Sequence, residues 1–217
     1  MARSGRTSDR KPAILIFAEH RHDQDTLDEL ARGLRKDLPR AQKPKRPMVL
    51  MRGREAALKR KNAQSLLAQV ERFQRLWDVK LVIAHEDCDA VEPAHEDRIQ
   101  DLTHQLSGHG FPVVPAAPAW EMETWLYLWP DAALKVNSRW RRPSRTGKRV
   151  GLIPNAKEQL RRDLRPSDAA ARGVRDYDES DCARIAGHVR ESGKIDRIDA
   201  QSASYERFRD ALRAAKL

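Results

Sequence analysis

Glu86, Asp87 and Asp89 close the stretch LVIAHEDCDA, residues 81–90, directly after an apolar run. Carboxylates repel one another at neutral pH, so such a cluster needs water, a cation or a chemical role. Two further acidic sites follow apolar runs. Glu19 comes after AILIFA, residues 13–18, with Asp23 four residues later; Glu121 and Glu123 come after FPVVPA, residues 111–116. Residues two apart on an extended segment point the same way, so Asp87 and Asp89 are expected to face one cation together. Hard carboxylate oxygens without a histidine–cysteine set favour Mg²⁺ or Mn²⁺ over zinc. Each site alone has a plainer use: Asp87 as a turn or helix cap, Glu19 as a solvated residue, Glu121 and Glu123 as acids at a helix N-terminus. Their recurrence after three strands is what points to a shared site. Glu86 should turn away from its neighbour Asp87 and is read as a bystander.

The elements that must position these residues alternate. AILIFA reads as a buried strand, apolar throughout and bounded by Pro12 and Glu19. Residues 22–38 place Leu27, Leu30, Ala31 and Leu34 at helical spacing, and Pro39 ends that helix. A second short strand is expected around Met48–Met51, then a long helix from Glu55 to Trp77 with Leu66, Val70, Phe73 and Trp77 on one face. VKLVIA, residues 79–84, is the third strand, Asp97–Leu106 a third helix, FPVVPA the fourth strand. WEMETWLYLW, residues 120–129, begins a fourth helix with Met122, Trp125, Leu126 and Trp129 on its apolar face. Strands alternating with helices predict an α/β fold, a parallel four-stranded Rossmann-like sheet flanked by helices. In such sheets functional groups gather beyond the carboxyl ends of the strands, which is where the acids fall.

The chain divides into a flexible basic N-terminus at residues 1–12, an α/β domain at 13–136, and a basic loop with a helical extension packed on it at 137–217. Short helical patterns there cover Ala156–Leu164, Ser180–Glu191 and Ser204–Lys216. Forty-two Lys and Arg against thirty-two Asp and Glu leave a net charge of +10 across 217 residues. That balance points to a polyanionic partner, foremost nucleic acid. The densest run holds Arg139, Arg141, Arg142, Arg145, Lys148 and Arg149 with Trp140 among them. Arginine neutralises phosphate and an exposed tryptophan stacks on bases, so these seven residues are the expected nucleic-acid contacts. Lys43, Lys45, Arg46, Arg52 and Arg54 form a second basic cluster. RTGKR is no P-loop: the first glycine of GxxxxGK[ST] is missing and Arg149 stands where Ser or Thr is required. Two cysteines, Cys88 and Cys182, make neither a disulfide framework nor a CxxC site. With no signal-like segment and no membrane-length apolar run, a cytoplasmic protein is expected.

In order and spacing these motifs resemble the TOPRIM domain of topoisomerases, primases and OLD-type nucleases. ILIFAEHRHD resembles its first-strand glutamate segment, with Glu19 as the glutamate and Asp23 as the later aspartate. LVIAHEDCDA resembles its D-x-D strand, and PAWEMETWLYLW the E-x-W-L segment of small TOPRIM-like proteins of bacterial defence islands, with Glu123 and Trp125 in the matching places. IPNAKEQL and SASYERFRDAL resemble the tail of those proteins. His20 departs from the pattern, which has glycine after the glutamate.

The resemblance implies a metal-dependent nuclease, cutting DNA or RNA in anti-phage defence. Asp87 and Asp89 would hold Mg²⁺ or Mn²⁺, Glu19 would be a further ligand or general base, and Asp23 and Glu123 would complete a second metal site or orient water. It also implies an ATPase partner, since small relatives often work beside one; self-association stays open. The alternative is a non-catalytic nucleic-acid or partner-binding module on a degenerate TOPRIM scaffold, which His20 favours. A phosphatase of the D-x-D type is a third reading, but DCDAV lacks the flanking pattern.

Overall fold

A run of consecutive apolar residues exposes both faces of a strand, so it forms stably only when both are covered. The computed structural model, which describes residues 10–44, 56–167 and 173–217, meets that requirement with an α/β architecture. Strands β1 (Pro12–Phe17), β2 (Arg40–Gln42), β3 (Asp78–His85) and β4 (Val113–Ala116) form one sheet in the order β2-β1-β3-β4, every pairing parallel. The segment expected as second strand, 48–51, lies outside the described residues, as do residues 1–9. The strand observed after the first helix is β2, three residues with no apolar run to announce them.

Alternate residues of the strands build two cores. Ile14, Ile16, Leu81, Ile83, Val114 and Ala116 face helix α1 (Arg21–Leu34) and the C-terminal helices. Leu15, Phe17, Val82 and Ala84 face α2 (Ala56–Gln74) and α3 (His95–Leu106) through Leu66, Val70, Leu102 and Leu106. From β1 the chain steps to β2 on one side, then crosses to β3 on the other. The winding direction therefore reverses between β1 and β3, and ligand sites form in the crevice such a reversal opens at the strands' carboxyl ends.

The expected fourth helix is broken in two: α4 (Glu123–Leu126) and α5 (Pro130–Val136). Pro130 disfavours helical backbone at the residue before it, and Trp129 sits at φ −130°, ψ 67°. Proline then serves as the first residue of α5, where its missing N–H costs nothing. The apolar face survives the break, with Met122, Trp125, Leu126 and Trp129 all 5% exposed or less.

A 3₁₀ turn (Val150–Leu152), α6 (Ala156–Leu164), α7 (Asp181–Ser192) and α8 (Ala203–Ala214) follow. Helix α7 lies along α1, joined by Arg190 and Glu29 at 2.8 Å, and α8 lies against β4. The Trp125 ring stacks on Phe208 of α8 at 5.1 Å and meets Tyr205 edge-on at 5.7 Å. Its Nε1 donates to Ser204 Oγ at 3.0 Å. Residues on both sides of position 137 thus share one hydrophobic core. No helix among the described residues is long and apolar enough to cross a membrane.

Candidate functional site

The parallel register brings the strand ends together. Phe17 stands opposite Ala84, so Glu19 emerges beside Glu86 and Asp87. Backbone pairing continues past β3 and β4: Glu86 N–H donates to Ala116 O at 3.1 Å, Cys88 N–H to Pro118 O at 3.3 Å, and Asp89 N–H to Trp120 O at 2.9 Å. This carries Asp87 alongside the segment leading to Glu121 and Glu123. Asp23 arrives from the first turn of α1, where its Oδ2 accepts the His20 N–H at 3.1 Å.

These groups sense one another. Asp23, 2% exposed, has its carboxyl pKa raised by burial and by the charge of Asp87, with His85 opposing. Glu121 is raised by burial first and by Asp87 and Glu158 after it, against the Lys157 backbone N–H, which donates to its Oε1 at 2.6 Å. Glu123, 4% exposed, is pushed up to about 8 by burial, Glu121 and Asp87. Its Oε1 accepts the Tyr177 hydroxyl at 3.0 Å, and that hydroxyl also meets Cys182 Sγ at 2.7 Å. Glu19 is half-buried and its charge reaches both His85 and Glu86. Carboxylates from two other chain segments therefore come within electrostatic reach of the Asp87 segment.

His85 stands beside Asp87 and is wholly buried. Its Nε2 stands 3.2 Å from Asp87 Oδ1 without hydrogen-bond alignment, and both ring nitrogens and Asp87 Oδ1 are buried with no hydrogen-bond partner. Burial alone would lower its pKa; the charges of Asp87, Asp23 and Glu19 outweigh burial and lift it to about 9. The sequence held a signal for His85, since it precedes Asp87 by two residues and shares its face. It held none for Lys157, whose Nζ reaches Glu179 at 2.7 Å and Glu121 at 3.8 Å, or for Tyr177. The Glu179 hydrogen bond and nearby carboxylates hold Lys157 above the ordinary lysine range. Glu179 Oε2 also stands 3.5 Å from His22, whose ring stacks on His20 at 5.2 Å.

Two expectations change. Asp89 does not continue the extended backbone: its φ is +51° and it is exposed, so the two-residue rule does not align it with Asp87. Trp140 is not an exposed stacking ring. It is 5% exposed, packs against Tyr177, donates Nε1 to Arg175 O at 2.8 Å and carries the Arg175 guanidinium over its ring. Nearby arginines are committed as well: Arg142 to Asp131 and Asp199, Arg145 to Asp163 at 2.8 Å. Arg139 donates to Gly173 O at 3.5 Å. Among the described residues Arg141, Lys148 and Arg149 are exposed and pair with no carboxylate. In the second basic cluster Lys43 is bound to Asp25 and Asp28, and the other members lie outside the described residues.

Glu86 faces the other side of the sheet, 3% exposed, with one oxygen 3.0 Å from Arg98 Nη1; burial raises its pKa to about 8. Burial also pushes the Cys88 thiol up to about 12, which removes it as a nucleophile. Among the described residues no three His, Cys, Asp or Glu side chains already close on a point as ligands would. The donor set nevertheless fits a hard divalent cation: it is rich in carboxylate oxygens, and buried Asp87 Oδ1 has no hydrogen bond to satisfy it.

No family model matches the chain, and no curated protein or solved structure is significantly similar to it.

Proposed function

We propose that the protein is a metal-dependent nuclease of TOPRIM type. The observation that carries this reading is that strand register and pairing bring Glu19, Asp23, Glu121 and Glu123 to the same end of the parallel sheet as Asp87, whose buried Oδ1 has no aligned hydrogen bond, at the sheet's switch point. Asp87 and Glu19, with Asp23, Glu123 and outlying Asp89, would hold Mg²⁺ or Mn²⁺. When bound, such an ion neutralises the scissile phosphate, lowers the pKa of an attacking water and stabilises the leaving oxygen. Buried His85, with Nε2 3.2 Å from Asp87 Oδ1, would balance the charge of that carboxylate from inside the fold. Tyr177 fixes Glu123 from behind through its hydroxyl. Lys157, positioned by Glu179, offers a positive charge to phosphate at the rim, and Arg141, Lys148 and Arg149 supply further contacts to a polyanion. The motif resemblance supports the same chemistry and is the sole ground for a defence role and an ATPase partner.

The second reading, a non-catalytic nucleic-acid-binding module, is favoured by one feature. His85 and Lys157 already set two cations against the carboxylates. Purified protein incubated with plasmid, single-stranded DNA and tRNA in Mn²⁺, Mg²⁺ or EDTA separates the two. Cleavage in metal, reduced in Asp87→Asn by at least the roughly 10- to 100-fold that loss of even an outer-shell partner costs, is the expected result. Intact substrate in every metal, with binding unchanged by EDTA, selects the binding module instead.

A further inference from the structure

Three non-glycine residues among those described have left-handed backbone: Asp89 at φ +51°, Trp120 at +61° and Asn155 at +47°. All three border the carboxylate site. Asp89 N–H donates to Trp120 O at 2.9 Å, Trp120 N–H donates to Ala90 O at 2.7 Å, and Asn155 caps α6, whose Lys157 N–H reaches Glu121. Asp and Asn tolerate this conformation; a bulky indole does not. Such strain persists only where the surroundings over-determine it.

The indole at this position is set differently from the core tryptophans. Trp125, Trp129 and Trp140 are 5% exposed or less, and each donates Nε1 to an oxygen: Ser204 Oγ, Ile195 O and Arg175 O. Trp120 is partly exposed, and among the described residues it stacks on no ring and makes no side-chain hydrogen bond. The other half-buried tryptophan, Trp77, lies at the opposite end of β3. A strained backbone thus holds a partly exposed aromatic side chain between Asp89 and Glu121, next to the carboxylate cluster and buried His85, whose ring nitrogens have no aligned hydrogen bond.

We infer that the substrate is single-stranded nucleic acid and that an unpaired base stacks on Trp120 while its phosphate lies at the carboxylates. This rests on the nuclease reading. A base offers its face to an indole only when it has left a duplex stack, which is why the inference selects the single-stranded class. Trp120 takes the stacking role that the sequence assigned to Trp140.

The test uses the full chain with Asp87→Asn to silence cleavage and a fluorescent oligonucleotide, single-stranded or annealed, read by anisotropy. Single strand should bind more tightly than duplex. Adding Trp120→Gly should weaken single-strand binding by roughly 5- to 150-fold, the range base–aromatic stacking implies, and Trp120→Phe should weaken it less. Glycine relieves the left-handed strain, so the Trp120→Gly protein should unfold at the same or a higher temperature. Unchanged affinity in Trp120→Gly overturns the proposal, as does a fall in unfolding temperature large enough to mark the indole as packing. Cleavage of the same oligonucleotide by wild type in Mn²⁺ runs alongside. If wild type cuts and Trp120→Gly binds normally, the stacking role falls and the nuclease stands; if wild type neither cuts nor binds, both fall.

Discussion

Asp23 closes the first turn of α1 through Oδ2, while its charge stands against that of Asp87. The two duties separate by substitution. Asn keeps an oxygen for the His20 N–H and removes a buried charge that burial and Asp87 both disfavour; Ala removes the cap. Asp23→Asn should therefore be at least as stable as wild type in urea, and Asp23→Ala about 1 kcal/mol less stable than Asn. Equal stability of Ala and Asn would show that the cap contributes nothing. Glu19, Asp87 and Glu123 were legible because acids following apolar strands obey a positional rule. Trp140 misled because an aromatic among arginines reads as exposed, whereas Arg175 and Tyr177, distant in sequence, bury it. Lys157, Tyr177 and Trp120 enter through tertiary contacts or backbone strain, and neither leaves a mark in local spacing.

The longer strands and helices were legible for the same kind of reason: Ala13–Phe17 of β1 and Leu81–Ala84 of β3 are buried on both faces and have to be apolar. Short elements answer to neighbours instead, as β2 does in pairing three residues with β1, and α4 in stopping ahead of Pro130. Helix α8 is seated by a contact no pattern announces. Buried Glu92 accepts Ser202 Oγ at 3.1 Å and Ser204 N–H at 3.0 Å through Oε1, and its own N–H donates to Gly151 O at 2.9 Å. A Cβ on Gly151 would lie 1.9 Å from Glu92 Cδ. Since Glu92 cannot swing away without leaving both α8 donors, Gly151→Ala should cost about 2–4 kcal/mol in urea unfolding. A loss under about 0.5 kcal/mol, the range of ordinary surface substitutions, would mean the latch is loose.

For the whole molecule, a net charge of +10 does not make every arginine a free contact for a polyanion, because several hold the C-terminal third in place. Arg175 and Arg184 both serve Asp181, 1% exposed, and Arg190 and Arg213 tie α7 and α8 to Glu29 and Asp196. Stability against pH should show a distinct histidine contribution. His95, at the start of α3, is 1% exposed, its ring nitrogens lack hydrogen bonds, and Glu92, Glu96 and Arg207 of α8 face it. Burial lowers its pKa below the ordinary 6.5, with Arg207 acting the same way and Glu92 and Glu96 opposing. The unfolded chain therefore binds this proton first as pH falls, so the stability from keeping His95 neutral is complete above about 6.5 and is lost as pH drops through the lower folded value. Gln at position 95 is neutral throughout. The difference in urea-unfolding free energy between wild type and His95→Gln should shift against wild type between pH 7 and 5, other titrations cancelling in the comparison. A difference that stays constant over that window would mean that His95 titrates alike in the folded and unfolded chain, and one that moves the other way that the folded protein favours its protonated form, paired with Glu92 or Glu96.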